Sequence, residues 1–524
     1  MSKQTFLKGT IILIAAGLVT RVLGFINRIV LARFVGQEGV GLYMMAVPTL
    51  VLIITITQFG LPVAISKLVA EADARGDQRR VKKILAVSLA LTGTLSLLFT
   101  PLILLSAPFL SNHLFTDPRT YYPLIAVAPV VPIVAISSVL RGYFQGKQNM
   151  KPAAYSQVLE QIVRISLIAV FTTAFLPYGI EYAAAGAMFS AVIGELVSLF
   201  YLFIMFKRKK KIKIRKNFFQ SVKAGKSTLN DLMEIAVPTT GSRLIGSVSW
   251  FFEPIVVAQS LAIAGIGAAA ATSQYGGLTG YALPLLMLPS FVTVSLSTSL
   301  VPAISEAMAQ GKKKLVEHRL RQALRLSLVT GGLAAVVLYV FAEPLMEGMY
   351  GNKDAAVFVK LMAPFFIFNY IQGPLQAVLQ ALNLAGAAMI NSLIGAAVKT
   401  ALIFLLASRP EMGIKGAALA IVIGIMTVTL LHLATVIKVV ALTIYVKEYV
   451  NSLFAMAITG IISYYAYYSW LEQFGLLTGL LLALTLCCLI YLFILLTLKL
   501  VLKEELERVP FLGRTLAKWI PSSR

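Results

Sequence analysis

Residues 254–305 contain no Asp, Glu, Lys or Arg. A charge-free stretch of that length cannot lie at a water-facing surface. It also exceeds the roughly 20 mostly apolar residues that one membrane-spanning helix needs. Shorter charge-free stretches occupy 84–112, 121–140, 165–180, 361–398, 449–471 and 473–498. Only 13% of the 524 residues are charged and 58% are hydrophobic, with a mean hydropathy of +0.84. A soluble domain carries about 25% charged residues. A soluble enzyme and a disordered chain are both excluded on that ground.

Dividing the apolar stretches at Gly, Pro and charge clusters predicts an all-α membrane protein with about 14 transmembrane helices. The predicted spans are 8–32, 41–66, 84–109, 121–143, 154–176, 183–206, 231–260, 277–305, 322–342, 355–380, 386–407, 414–437, 444–470 and 475–498. The first apolar stretch follows Lys8 directly, is long, and holds Arg21, so it reads as a retained span rather than a cleaved signal. Cys487 and Cys488 are adjacent inside an apolar stretch and form no disulfide framework. His113, His318 and His432 are scattered. No metal and no cofactor is expected.

The net charge of +24 raises the question of nucleic acid, and the placement of the charges answers it. Lys and Arg crowd into 67–83, 141–151, 207–226 and 311–325. The alternate loops 177–182 and 261–275 hold none, and 110–120 holds only Arg119. The basic loops follow even-numbered spans, which predicts a multi-pass cell-membrane protein with both termini cytoplasmic. The positive charge then faces anionic membrane lipids, not nucleic acid.

The chain repeats itself. Thr20-Arg21-Val22-Leu23-Gly24 parallels Ser242-Arg243-Leu244-Ile245-Gly246, and Pro62-Val63-Ala64-Ile65-Ser66 parallels Pro302-Ala303-Ile304-Ser305. Ala128-Pro129, Gln145 and Arg164 parallel Ala363-Pro364, Gln380 and Lys399. The order is kept, and a six-span unit gives both copies the same orientation. Two parallel six-helix lobes are therefore expected at 1–206 and 231–440, joined by a basic cytoplasmic linker at 207–230. An extra helix pair at 441–498 and a basic cytoplasmic tail at 499–524 stand outside the repeat. The tail reads as an interfacial arm.

An ionisable side chain at the centre of a membrane helix costs about 2.5–3.5 kcal/mol unless it meets water or a partner. Arg21, Gly24 and Arg28 share one helix face, and Arg243, Gly246, Trp250 and Glu253 repeat that pattern. Each lobe thus offers an arginine from its first helix, and a guanidinium fork suits phosphate. The alternative is that Arg21 or Arg28 snorkels or pairs with Glu253. Glu160 and Arg164 stand at i and i+4 and can neutralise each other. Lys399, the counterpart of Arg164, faces Gly395 where Glu160 would be, so it is the better cavity cation. Glu195 is a lone carboxylate that suits a coupling cation, a proton or helix pairing. Substrate-binding candidates are Arg21, Arg28, Arg243, Lys399 and Arg164, and coupling or gating candidates are Glu160, Glu195 and Glu253. The mainly cationic set points to an anionic substrate. No G-x-x-x-x-G-K-[ST] loop occurs, so secondary transport rather than ATP hydrolysis is expected, and the chain is not read as an enzyme.

The segments Thr20-Arg21-Val22-Leu23-Gly24-Phe25 and Ala32-Arg33-Phe34-Val35-Gly36 resemble the multidrug/oligosaccharidyl-lipid/polysaccharide exporter superfamily, in its lipid II flippase and polysaccharide-transporter branches. Arg141–Met150, Trp250–Pro254 and Gln376–Asn383 carry the resemblance further, toward its sporulation members. The resemblance implies flipping of a lipid-linked peptidoglycan precursor for spore cortex synthesis. It also implies that Arg21 and Arg243 grip the diphosphate and that 444–498 forms a groove for the lipid tail. The flippases carry an Arg-Asp pair after the Leu-Gly-Phe segment; here Asn27-Arg28 stands instead. A monomer is expected, with cell-wall synthesis enzymes as further partners. Two alternatives remain open: a non-transporting scaffold for cortex-synthesis enzymes, and a cation-coupled drug exporter. An exporter of cations would want acidic residues in its first span, which has none.

Overall fold

The computed structural model describes residues 6–209, 222–223, 225–440, 446–498 and 500. Most of the expected basic linker and all but Leu500 of the interfacial tail lie outside the described residues. Among the described residues every regular element is helical. The helices are α1 (Phe6–Gln58), α2 (Leu61–Ala74), α3 (Gln78–Phe109), α4 (Tyr121–Val127), α5 (Val130–Gly146), α6 (Lys151–Phe175), α7 (Ile180–Lys209), α8 (Lys226–Ile263), α9 (Ala268–Gly276) and α10 (Leu283–Met287). They continue with α11 (Ser290–Ala309), α12 (Lys313–Val340), α13 (Ala342–Tyr350), α14 (Ala356–Met362), α15 (Ile367–Ala381), α16 (Ala385–Ala407), α17 (Gly413–Val439), α18 (Val446–Ala466) and α19 (Leu476–Thr497).

Eleven described segments are long and apolar enough to cross a membrane, or twelve if α14 and α15, bent by 57°, form one span. This is a multi-pass membrane protein. The count falls below the expected fourteen for physical reasons. Ala16–Ala74 counts once although its 59 residues far exceed one crossing. At about 1.5 Å per residue, such a helix is more than twice a hydrocarbon core of about 30 Å. Gly36 breaks it with φ 73° and ψ 178°, a conformation open to glycine. The expected span 355–380 is broken between α14 and α15. Helix α18 opens on Val446-Lys447-Glu448 and is not among the eleven.

The chain forms two compact units, Met1–Tyr281 with Thr400–Ala417, and Ala282–Lys399 with Ala418–Arg524. In the first, Leu61, Ile65, Val81, Ile84, Phe144 and Leu232 make a core from α2, α3, α5 and α8. Within that unit α1 crosses α9 backbone to backbone. A Cβ on Gly41 would overlap the Thr272 carbonyl, and one on Gly276 would overlap the Gln37 carbonyl. Such close helix crossings are what small residues permit in lipid, where apolar burial alone drives no association. In the second unit, Leu300, Ile304, Leu320, Val378 and Val436 join α11, α12, α15 and α17. Helices α18 and α19 pack on α12, and Tyr491 Oη donates to the Val329 carbonyl at 3.0 Å.

Candidate functional site

The expected cations of α1 and α8 are uncovered. Arg21 and Arg243 are exposed and Arg28 is half-buried. None of the three forms an ion pair among the described residues. The pairing of Arg28 with Glu253 that the sequence allowed is therefore not made. Glu253 is buried in α8, directly before Pro254. Asn27, at the first position of the flippases' Arg-Asp pair, is buried, and its Oδ1 has no hydrogen-bond partner. Charged groups without a counter-ion on apolar helices persist where water or an anion reaches them.

A second constellation lies on α5, α6 and α7. The i, i+4 pair forms as expected, with Arg164 Nη2 2.6 Å from Glu160 Oε1. Glu195 is not alone. Arg141 Nη2 donates to both its oxygens, at 2.9 and 3.2 Å, and to Ser198 Oγ at 3.0 Å. The same guanidinium stands 3.9 Å from Glu160 Oε2. Glycine at position 194 permits this: a Cβ there would lie 2.9 Å from the Glu160 carbonyl and 3.4 Å from Arg164 Cβ. Arg141 escaped the sequence reading because it closes a charge-free stretch and was counted with the basic loop 141–151. The signal available was the unmatched Glu195, a buried carboxylate that required a cation from another helix.

The second unit holds the parts of α16 and α17 that carry Lys399 and Gly424. Lys399 is half-buried, and a Cβ on Gly424 would lie 2.7 Å from Lys399 Cβ. Gly395 packs on Val428 of α17. Further along the pair, Asn391 Nδ2 reaches His432 Nδ1 at 3.2 Å and Thr435 Oγ1 at 3.0 Å. His432 is fully buried, and its Nε2 has no partner.

A fourth group ties a turn to two helices of the first unit. Asp117 is buried and caps the turn at Arg119. Its carboxylate accepts from Arg119 Nε at 3.0 Å and Nη2 at 2.9 Å, and from Thr272 Oγ1 at 2.7 Å. Arg119 Nη1 also reaches Glu38 at 2.7 Å. Burial alone would raise the Asp117 pKa, but the Arg119 and Thr272 hydrogen bonds outweigh it and hold the carboxyl below its usual value. Among the described residues no three His, Cys, Asp or Glu side chains gather as a metal centre would require.

Many crossing helices, intramembrane cations and paired charges define a membrane transporter rather than an enzyme. The chain belongs to the polysaccharide biosynthesis protein family, whose model matches residues 6–308. It is 64% identical to stage V sporulation protein B of Bacillus subtilis, over 99% of this chain and all of that protein. It is 27% identical to the lipid II flippase MurJ of the same organism, over 76% of each chain. A solved structure of lipid II flippase MurJ in an inward closed conformation shares its fold, with a TM-score of 0.68 at 16% identity, covering 92% of this chain and 97% of that one.

Proposed function

We propose that this protein flips a lipid-linked peptidoglycan precursor across the cell membrane by alternating access, in spore cortex synthesis. The observation that carries the reading is the uncovered pair Arg21 and Arg243, on apolar helices and without counter-ions. A lipid diphosphate needs cations for its head and an apolar lateral path for its tail. Arg21 and Arg243 grip the diphosphate through bidentate forks, and Arg28, Arg164 and Lys399 extend the cationic surface. Glu253 serves as a gating group. Lobes 1–206 and 231–440 rock about the headgroup, while the helix pair of 441–498 guides the tail. Both termini face the cytoplasm, with the basic linker and loops against anionic lipid heads. The 64% identity to a sporulation protein and the fold shared with a lipid II flippase support the reading.

Complementation in sporulating cells tests it. Arg21→Ala and Arg243→Ala, at normal membrane level, should abolish cortex while precursor accumulates, and the Lys variants should restore part of it. Full cortex with Ala at both positions would overturn the diphosphate grip and favour a scaffold for cortex-synthesis enzymes.

A further inference from the structure

The ion cluster of α5, α6 and α7 is more than a brace. Two carboxylates share one guanidinium: Arg141 Nη2 lies 2.9 Å from Glu195 and 3.9 Å from Glu160. Arg164 holds Glu160 from the other side. The carboxylates are almost closed off, at 4% and 11% side-chain exposure, whereas Arg141 and Arg164 keep 16% and 21%. The Nε–H groups of both arginines lack acceptors, and Gln161 Oε1 lacks a donor. The guanidiniums are thus not fully satisfied within the cluster, and their side chains keep some exposure to a ligand. The carboxylates are the less accessible members of the cluster.

Two cations and two anions balance only while both arginines stay. If one turns toward an anion, a buried carboxylate loses its counter-charge beside a second carboxylate. Like charges at close range in a poorly solvated site do not both stay ionised, so the pair takes up a proton. We infer that this cluster is a proton-linked latch. Arg141 or Arg164 leaves for a phosphate or diphosphate group, and the Glu160/Glu195 pair takes one proton from water. When the arginine returns, the proton leaves. One O–H bond forms and later breaks, and nothing is oxidised or reduced. The charged groups acting on Glu160 are Arg164 on its own helix, Glu195 on α7 and Arg141 on α5. The polar neighbours are Gln161 and Ser198. The inference rests on the transport reading above and adds the proton as coupling ion.

The test uses the full chain in lipid membranes. Infrared difference spectra should show a protonated-carboxyl band that grows when a lipid-linked diphosphate is added. Glu160→Gln and Glu195→Gln should each remove it, and Glu195→Asp should retain it. Inorganic pyrophosphate in place of the lipid separates a site for any phosphate group from one that needs the lipid. In the same vesicles the flipping rate of the wild type should respond to a pH gradient, by up to about tenfold per pH unit for one proton. The Gln variants should not respond. Absence of a diphosphate-dependent band in the wild type, or a band unchanged in both Gln variants, overturns the latch whether or not flipping occurs. Gradient-independent flipping by the wild type overturns it as the coupling device but leaves the flippase reading intact. A band assigned to Glu160 and Glu195 without any flipping upholds the proton site and sinks the flippase. A purely structural cluster would lose stability in the Gln variants and show no band.

Discussion

The α6–α7 crossing at Gly194 and the α16–α17 crossing at Gly424 are built alike and carry different side chains. In each, a glycine of the later helix lets the earlier one approach at a basic residue: Gly194 beside Arg164, and Gly424 beside Lys399. In the first pair that basic residue belongs to a four-membered ion cluster with Glu160, Glu195 and Arg141. In the second, Gly395 stands where Glu160 would, and the buried polar group is the neutral trio Asn391, His432 and Thr435. A repeated backbone can therefore carry two electrostatic designs. Packing fixes where the helices cross, and the few charged positions decide what each crossing does. A compensated cluster can store and release charge.

The comparison breaks most sharply at Arg141. Arg141→Leu would leave Glu195 buried without its cation, which costs about 3–5 kcal/mol. Thermal unfolding in detergent should show a large loss. Lys399→Met should lower flipping. No loss of stability in Arg141→Leu would mean that Glu195 does not depend on that cation.

Glycine substitutions come next. Gly194→Ala and Gly395→Ala should each cost about 1–3 kcal/mol by overpacking, because the new methyl meets the Glu160 carbonyl in one case and the Val428 side chain in the other. A gain in stability at either position would refute the close crossing there.

Asp117→Asn sharpens the picture outside the paired helices. Removing a charge-assisted acceptor of Arg119 should cost about 2 kcal/mol at neutral pH. The Asp117 carboxyl is held below its usual value, so its contribution is fully present above the unfolded pKa. It is lost as pH falls through the depressed folded value. Unfolding curves of wild type and variant should therefore converge in acid, and a gap that widens on acidification would contradict the assignment.

Much of the fold was legible because lipid forbids charge: the charge-free stretches marked helices before any contact was known. The Glu160–Arg164 pair was legible for a local reason, since i and i+4 share a helix face. Arg141–Glu195 was not, because its partners are far apart in sequence and Arg141 sits at the end of an apolar stretch, where topology accounts for a cation. The Asp117–Arg119–Glu38–Thr272 group was hidden for the same reason: it joins a turn to two helices that only the fold brings together. The span count differed where helices run long across a kink, as at Gly36, or break, as between α14 and α15. Hydropathy records length and polarity, not bends.

The central claim is that uncovered arginines on the first helices of the repeat carry a lipid diphosphate across the membrane. The most direct measurement is flipping by the purified chain in vesicles that hold a fluorescent lipid-linked precursor, read by quencher access on each face. The account predicts protein-dependent equilibration for the wild type and its loss, by about 100-fold or more, in Arg21→Ala with Arg243→Ala, as expected when bidentate phosphate contacts worth about 1.5–3 kcal/mol each are removed. Equal rates for wild type and double variant, or no rate above empty vesicles, would contradict it.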